Sequence, residues 1–213
     1  MKTKICCISD AAEAKIAAQT GADWYGLVGP MPSGPGVLSL EQARDIATSC
    51  RFSARPILLT SAECAKAILA EADFVGVTAV QVVRHIPSKE AAELKASDLQ
   101  YVQVIHVCGP ETLAFIDVYA PLCDAFLLDS GRPSRDALGG TGQTHDWSVS
   151  AEFVRRADKP VFLAGGLNPS DVSAAIRKVR PYGVDICSGI RRHGTLDPAL
   201  LSAFMEEVRK ASG

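Results

Sequence analysis

The 213-residue sequence lacks the features that mark nucleic-acid-binding, membrane-spanning and secreted proteins. It has no block of basic residues and a formal net charge of -2, so a surface for nucleic acid or anionic membrane has little electrostatic support. No apolar run approaches the roughly 20 residues that a membrane-spanning helix requires, and the N-terminus lacks the long apolar core of a secretory signal. The sequence therefore predicts a cytoplasmic protein that binds neither nucleic acid nor membrane.

Cysteine and histidine are present, but not in the arrangements that bind metals or form disulfide frameworks. The seven cysteines are odd in number and show no Cys-x-x-Cys spacing, which argues against both a disulfide framework and a zinc site. Three of the four histidines lie in or beside predicted loops without metal-ligand spacing, and His106 is interpreted as a hydrogen-bonded core residue within a strand. We therefore expect reduced thiols and no bound metal.

The sequence does contain a regular alternation of eight apolar, strand-like segments with eight helical segments. No two strands are close enough for a hairpin, so the pattern predicts parallel strands with helical crossovers. At about 27 residues per unit, from 213 over eight, it predicts a compact, single-domain (β/α)8 TIM barrel over residues 1–213, with an open doubly wound sheet as the alternative. The predicted strands are Lys2–Ile8, Trp24–Val28, Arg55–Leu59, Phe74–Val83, Tyr101–Val107, Ala125–Asp129, Val161–Ala164 and Gly183–Cys187.

The segment Ala125–Trp147 combines a carboxylate with a glycine-rich loop. Asp129 ends an apolar strand, and the loop that follows contains Gly140, Thr141 and Gly142. A carboxylate at a strand end beside glycines that let backbone N–H groups approach a ligand indicates an acid/base group next to an anion site. The alternative role of Asp129 is capping, or pairing with a nearby arginine.

Two further glycine-bearing turns follow the seventh and eighth predicted strands. Gly165 and Gly166 lie in the first turn, and Ser188 and Gly189 in the second. Barrel enzymes often bind phosphate between these two loops through backbone N–H groups, so the positions predict a phosphate site. The alternative is that the glycines only make tight turns.

The first strand ends with two adjacent cysteines. Neighbouring residues on a strand face opposite ways, so only one of Cys6 and Cys7 can face the barrel mouth. Lys4 shares the face of Cys6, and a nearby ammonium group favours the thiolate form. The alternative role of either cysteine is that of a small buried apolar residue.

Taken together, these segments resemble the phosphoribosylanthranilate isomerase family of tryptophan biosynthesis across the whole chain. The combination of the glycine-threonine loop with a following Asp-Trp, and of two late glycine motifs, carries the resemblance. The matching segments are Lys4-Ile5-Cys6, Leu128-Asp129-Ser130, Gly139-Gly140-Thr141-Gly142, Asp146-Trp147, Leu163-Ala164-Gly165-Gly166-Leu167-Asn168-Pro169 and Val184-Asp185-Ile186-Cys187-Ser188-Gly189.

The resemblance implies a (β/α)8 barrel without a cofactor that acts on a small phosphoribosyl substrate. The implied reaction is the Amadori rearrangement of N-(5′-phosphoribosyl)anthranilate, with Cys6 as general base and Asp129 as general acid. We expect a monomer or a homodimer.

The chain departs from the family pattern mostly at the end of the site that receives the aromatic acid. Cys7 replaces a glycine in Lys-Ile-Cys-Gly, and Gly36 stands where the family has the arginine of Ser-Pro-Arg, which contacts the anthranilate carboxylate. Gln81-Val82-Val83-Arg84 replaces Gln-Leu-His-Gly, and His145 replaces an aromatic residue.

Three interpretations of these departures stay open. Arg84, Arg132 or Arg135 supplies the missing cation from another loop, because a carboxylate needs a donor fork and not a particular strand. Alternatively, the chain isomerises a different phosphorylated sugar amine, or binds a phosphosugar without turnover.

Overall fold

The computed structural model is a closed barrel of eight parallel strands, described for residues 1–32, 34–49, 53–130 and 145–212. Each strand pairs with the next, and β8 pairs with β1 to close the ring. The predicted (β/α)8 barrel is confirmed and the open doubly wound sheet is wrong. The strands are β1 Lys2–Ile5, β2 Trp24–Val28, β3 Arg55–Thr60, β4 Ala79–Val82, β5 Gln100–Val107, β6 Ala125–Ser130, β7 Val161–Leu163 and β8 Gly183–Ile186.

Helices surround the barrel, one after each strand. The helices are α1 Ala11–Gln19, α2 Leu40–Ser49, α3 Ala65–Val75, α4 Ser88–Lys95, α5 Ala114–Tyr119, α6 Trp147–Arg156, α7 Val172–Val179 and α8 Pro198–Ser212. A 3-10 turn at Pro110–Leu113 precedes α5, and a second at Ser188–Ile190 leads into a small hairpin of β9 Arg191–Arg192 and β10 Thr195–Leu196. Within the described ranges, none of these helices has the length and apolarity needed to cross a membrane.

Several strand boundaries differ from the sequence prediction, and the largest difference is at the start of β4. Phe74 was assigned to the fourth strand, but it lies in α3, and β4 begins only at Ala79. An aromatic residue favours strands by local propensity, but Gly76, with a φ of 79°, ends the helix after Phe74 and sets the true boundary.

Alternation along the strands divides the buried residues into two cores. Outward side chains such as Tyr25 and Phe126 pack against the helices, whereas inward ones such as Leu59, Val104 and Leu127 fill the barrel. Inward positions at the carboxyl ends of the strands therefore face the barrel mouth.

Candidate active site

A cleft opens at the carboxyl ends of the strands. This is the face at which barrel enzymes carry their reactive groups. Of the site residues predicted from the sequence, the cleft is lined by Cys6, Asp129, Gly165, Gly166 and Ser188. The strand order thus brings together groups that are up to 182 residues apart, from 6 to 188.

Cys6 follows β1 and is only 5% exposed. A hydrogen bond from the Cys7 thiol lowers the pKa of Cys6, and the Lys4 ammonium lowers it further against the opposing effect of burial. Lys4 and Cys6 do share one face: a Cβ atom placed on Gly26 would lie 3.0 Å from Cys6 Sγ and 3.2 Å from Lys4 Nζ. The environment therefore favours a thiolate at Cys6.

Lys4 is held inside the barrel by an ion pair with Asp185. Lys4 Nζ donates to Asp185 Oδ1 at 2.9 Å, and the two side chains are 4% and 8% exposed. Burial alone would lower the pKa of Lys4, but Asp185 and Cys6 outweigh it and raise the pKa, so the ammonium stays charged beside the thiol. The sequence analysis did not assign Asp185 a role, because its partner lies at the other end of the chain.

The pKa of Asp129, which lies near the end of β6, is shifted in the opposite direction to the pKa of Cys6. Burial raises its pKa to about 6, although its carboxylate accepts a hydrogen bond from the Ser130 N–H at 2.8 Å. A carboxyl group with this pKa retains a proton for part of the time near neutral pH. One cleft thus contains a thiol whose pKa is lowered and a carboxyl group whose pKa is raised, so the two pKa values are shifted toward each other.

Two departures from the family pattern lie in direct contact. Cys7 has a φ of 61° and Gly36 a φ of 69°, so both residues adopt the left-handed conformation that favours glycine. A Cβ atom on Gly36 would lie 3.0 Å from the Cys7 carbonyl oxygen and 3.1 Å from Cys7 Cβ. The backbone and the Cβ atom of Cys7 therefore both occupy space that a side chain at position 36 would need.

The two late glycine turns pack closely on their neighbours. A Cβ atom on Gly165 would lie 2.6 Å from the Ser130 backbone nitrogen, and one on Gly189 would lie 2.1 Å from the Leu167 carbonyl oxygen. Gly189 does not line the cleft. Packing thus explains why glycine is needed at both positions, while Gly165, Gly166 and Ser188 present their surfaces to the cleft.

The predicted carboxylate-binding arginines are not in the described part of the cleft. Arg84 does not line it, and its Nε lies 3.8 Å from Glu63 Oε1. Arg132 and Arg135 lie outside the described residues, as do Gly140, Thr141 and Gly142. Among the described residues that line the cleft there is no lysine or arginine.

A buried ion pair that the sequence analysis missed supports the turn carrying the two cysteines. Arg191 donates to both carboxylate oxygens of Glu13 at 3.0 Å, and it also donates to the Cys7 carbonyl oxygen. Glu13 in turn accepts from the backbone N–H of Leu196 at 2.9 Å. Helix α1, the cysteine turn and the hairpin after β8 are thereby linked.

Two polar residues on β4 and β5 complete the inward layer of the barrel. Gln81 lines the cleft, and its Oε1 is buried without a hydrogen-bond partner. His106 hydrogen-bonds through Nε2 to the Val83 carbonyl oxygen at 3.2 Å and does not line the cleft. Burial lowers the pKa of His106, and its interpretation as a hydrogen-bonded core histidine is confirmed.

Across the described ranges, no cluster of three or more histidine, cysteine, aspartate or glutamate side chains is arranged to hold a metal ion. The fold and the site define an enzyme built on a (β/α)8 barrel, with a thiol and a carboxyl group of shifted pKa in the cleft at the ends of β1 and β6. The family model of N-(5'-phosphoribosyl)anthranilate (PRA) isomerase matches residues 3–207. The chain belongs to the phosphoribosylanthranilate isomerase family.

Similar proteins agree with this assignment over nearly the whole chain. N-(5'-phosphoribosyl)anthranilate isomerase 2 of Methanosarcina mazei is 34% identical over 194 residues, covering 90% of this chain and 86% of that protein. Phosphoribosyl anthranilate isomerase from Thermotoga maritima has a TM-score of 0.86 at 28% identity, covering 99% of both chains. A phosphoribosyl anthranilate isomerase in complex with reduced 1-(o-carboxyphenylamino)-1-deoxyribulose 5-phosphate has a TM-score of 0.83 at 25% identity, again covering 99% of both.

Proposed function

We propose that this chain catalyses the Amadori rearrangement of N-(5′-phosphoribosyl)anthranilate to 1-(2-carboxyphenylamino)-1-deoxyribulose 5-phosphate in tryptophan biosynthesis. The observation that carries the proposal is the presence in one cleft of Cys6, whose pKa is lowered, and Asp129, whose pKa is raised to about 6. An isomerisation of this type needs one proton donor and one proton acceptor. It needs no redox cofactor, because substrate and product have the same overall oxidation state.

Asp129 acts first, as the general acid. Its carboxyl group donates a proton to the furanose ring oxygen, and the bond between that oxygen and C1′ breaks to leave a Schiff base. The buried environment that raises the Asp129 pKa keeps the proton available near neutral pH.

Cys6 then acts as the general base. Its thiolate removes the proton from C2′, which gives an enolamine, and tautomerisation of the enolamine gives the ketose product. The Lys4 ammonium and the Cys7 thiol stabilise the thiolate that this step requires. One proton enters and one leaves, so the reaction is an isomerisation overall.

The loops after β7 and β8 are proposed to bind the substrate phosphate. Gly165, Gly166 and Ser188 line the cleft on the side of these strands, which supports the assignment, and Gly189 permits the close packing of the two loops. Gly140, Thr141 and Gly142 are proposed to complete the phosphate site from the loop after β6.

Arg132 or Arg135 is proposed to bind the anthranilate carboxylate, in preference to Arg84. The described lining of the cleft contains no cation, whereas the loop that bears these two arginines follows Asp129 directly. Arg132→Ala and Arg135→Ala are each measured for KM and kcat. We expect the variant that removes the carboxylate partner to raise KM at least tenfold with a smaller change in kcat, as for a lost charge-assisted hydrogen bond of about 1.5–3 kcal/mol. Two variants with the KM of the unmodified chain would contradict this assignment.

The test of the whole proposal is turnover by the purified chain, followed as loss of phosphoribosylanthranilate fluorescence. We expect Cys6→Ala to abolish turnover and Cys7→Ala to lower it without abolishing it, because only Cys6 is assigned the proton abstraction, whereas the Cys7 thiol lowers the Cys6 pKa. Full activity of Cys6→Ala would remove the proposed base. Complementation of a tryptophan auxotroph that lacks this isomerase tests substrate and turnover together.

A second candidate is an isomerase of a different phosphorylated sugar amine. It is favoured by Gly36, which stands in place of the family's arginine, together with the absence of lysine and arginine from the described lining of the cleft. Failure to turn over phosphoribosylanthranilate, combined with turnover of a phosphoribosyl amine that lacks the carboxylate, would select it. Binding of inorganic phosphate without turnover of either compound would instead indicate a phosphosugar-binding protein. Operation in the cytoplasm, as a monomer or a homodimer, stays part of the proposal.

A further inference from the structure

Three thiols from opposite ends of the chain meet at the mouth of the barrel. Cys6 and Cys7 end the first strand segment, and Cys187 follows β8, which pairs with β1. Cys187 Sγ lies 2.6 Å from Cys7 Sγ, and all three cysteines line the cleft as free thiols. The proposed reaction uses Cys6 as its base and Cys7 only as a hydrogen-bond donor to Cys6, so it assigns no role to the contact between Cys7 and Cys187.

The fold holds Cys7 beside Cys187. Arg191 donates to the Cys7 carbonyl oxygen and is itself fixed by Glu13. Gly36 lies beside Cys7, since a Cβ atom placed on Gly36 would lie 3.1 Å from Cys7 Cβ. Cys7 keeps the left-handed φ of 61° under these contacts. These contacts fix the backbone at Cys7, from which its sulfur atom reaches Cys187 Sγ.

Cys7 also contacts the proposed base. Its thiol donates a hydrogen bond to Cys6, and this bond is the largest of the effects that lower the Cys6 pKa. Burial and the neighbouring sulfurs raise the pKa of Cys7 itself, first through its hydrogen bond with Cys187, so Cys7 keeps the proton that it donates. A change in Cys7 is consequently transmitted to Cys6.

We propose that Cys7 and Cys187 form a reversible disulfide when the protein meets a peroxide, and that this disulfide lowers isomerase activity by removing the thiol that donates to Cys6. The effect on activity rests on the proposed function, whereas formation of the disulfide does not.

The chemistry balances with one peroxide per disulfide. Cys187 is the more exposed of the pair, and its thiolate attacks one peroxide oxygen, which breaks the O–O bond to give a sulfenic acid and, after protonation, water. Cys7 sulfur then displaces the sulfenic hydroxyl as a second water and forms the S–S bond. Two thiols are oxidised, one peroxide is reduced to two waters, and a dithiol reductant reverses the step.

The first measurement maps the disulfide and requires no turnover. The reduced full chain is treated with near-stoichiometric hydrogen peroxide, alkylated with iodoacetamide and digested with trypsin. We expect residues 5–15 linked to residues 179–191, with fragmentation assigning the link to Cys7 and Cys187. The variant Cys6→Ala should form the same link, because Cys6 takes no part in it. Absence of the link, or a link through Cys6, would overturn the proposal.

The second measurement follows activity. We expect oxidation to lower kcat/KM about tenfold for each unit by which the Cys6 pKa rises, at a pH below that pKa, and dithiothreitol to restore it. The loss should track the yield of the mapped link over time. Unchanged activity in fully linked protein would overturn the regulatory part.

Two variants distinguish the effect of the disulfide between Cys7 and Cys187 from the effect of oxidation at other cysteines. Cys64→Ser removes an exposed cysteine at the start of α3 and should show the same reversible loss as the unmodified chain. Cys187→Ser, compared with its own untreated activity, should lose the reversible component. An equal reversible loss in Cys187→Ser would contradict the proposal. If that variant does not fold, the correlation of link and activity in the unmodified chain decides the matter. If no variant or treatment shows any isomerase activity, the mapped link still stands and only the proposed function fails.

Discussion

Replacing Lys4 by methionine is the most informative perturbation of the barrel interior. Lys4 and Asp185 form an ion pair at 2.9 Å with side chains only 4% and 8% exposed. Methionine fills most of the volume of lysine but leaves the Asp185 carboxylate buried without its partner. Breaking a buried pair in this way costs about 3–5 kcal/mol, a large part of the roughly 5–15 kcal/mol that stabilises a typical domain.

The measurement is urea unfolding at neutral pH, with the free energy of unfolding taken from the midpoint and slope. With a slope of about 2–3 kcal/mol/M, the expected loss lowers the midpoint by roughly 1–2 M. Lys2→Met is the matched control, because Lys2 lies on the same strand and pairs with Asp23 at 2.6 Å, but its side chain is 48% exposed. Solvent screens that pair, so the control should leave the midpoint nearly unchanged.

A double variant separates the stability of the pair from its effect on Cys6. Lys4→Met with Asp185→Leu removes both buried charges, so most of the lost stability should return. Activity should not return in the same way, since the Lys4 ammonium no longer lowers the Cys6 pKa. Below the Cys6 pKa, kcat/KM should therefore fall in both variants, and it should fall less in the double variant because Asp185 opposes the lowering of that pKa by Lys4.

Two results would refute this reasoning. One is a Lys4→Met midpoint equal to that of Lys2→Met, which would mean that the buried charge of Asp185 carries no penalty. The other is a double variant as unstable as the single one, which would attribute the loss to packing and not to charge.

Two further predictions concern Asp129 and Gly165. The folded-state pKa of Asp129 is raised from 3.8 to about 6, so the native state binds more protons than the unfolded chain between these values and its stability falls as the pH rises through them. Asp129→Asn should therefore abolish activity. It should also raise the free energy of unfolding at pH 8 by up to about 3 kcal/mol, with little gain at pH 4. An equal gain at both pH values would contradict the argument that burial raises the Asp129 pKa. Gly165→Ala should lower both activity and the urea midpoint more than Gly76→Ala does. The backbone strain is similar at the two sites, where φ is 82° and 79°, but only a Cβ atom on Gly165 would meet backbone, at 2.6 Å from the Ser130 nitrogen. Equal effects of the two glycine substitutions would show that backbone conformation alone, and not the contact with β6, decides the result.

The alternation of strands and helices could be predicted from the sequence because it is a local property. Apolar runs, helix-stopping glycines and serine or aspartate caps each act within a few residues, so eight units and their closure into a barrel followed from the pattern. Cys6 and Asp129 were found for the same reason, since each ends an apolar run and strand ends meet at one face of a barrel. The error at Phe74 shows the limit of local propensity: its ring is 40% exposed on α3, with the Arg44 guanidinium 5.4 Å from the ring centroid.

What only the tertiary structure decided is which charged groups and thiols surround the two cysteines that follow β1. Lys4 and Asp185 are 181 residues apart, Glu13 and Arg191 are 178 apart, and Cys7 and Cys187 are 180 apart. These contacts exist because β8 closes the barrel against β1, and no spacing rule connects positions so far apart in the chain. The residue types of the site could therefore be predicted from the sequence. The charged groups and thiols that shift their pKa values are brought beside them only when β8 pairs with β1.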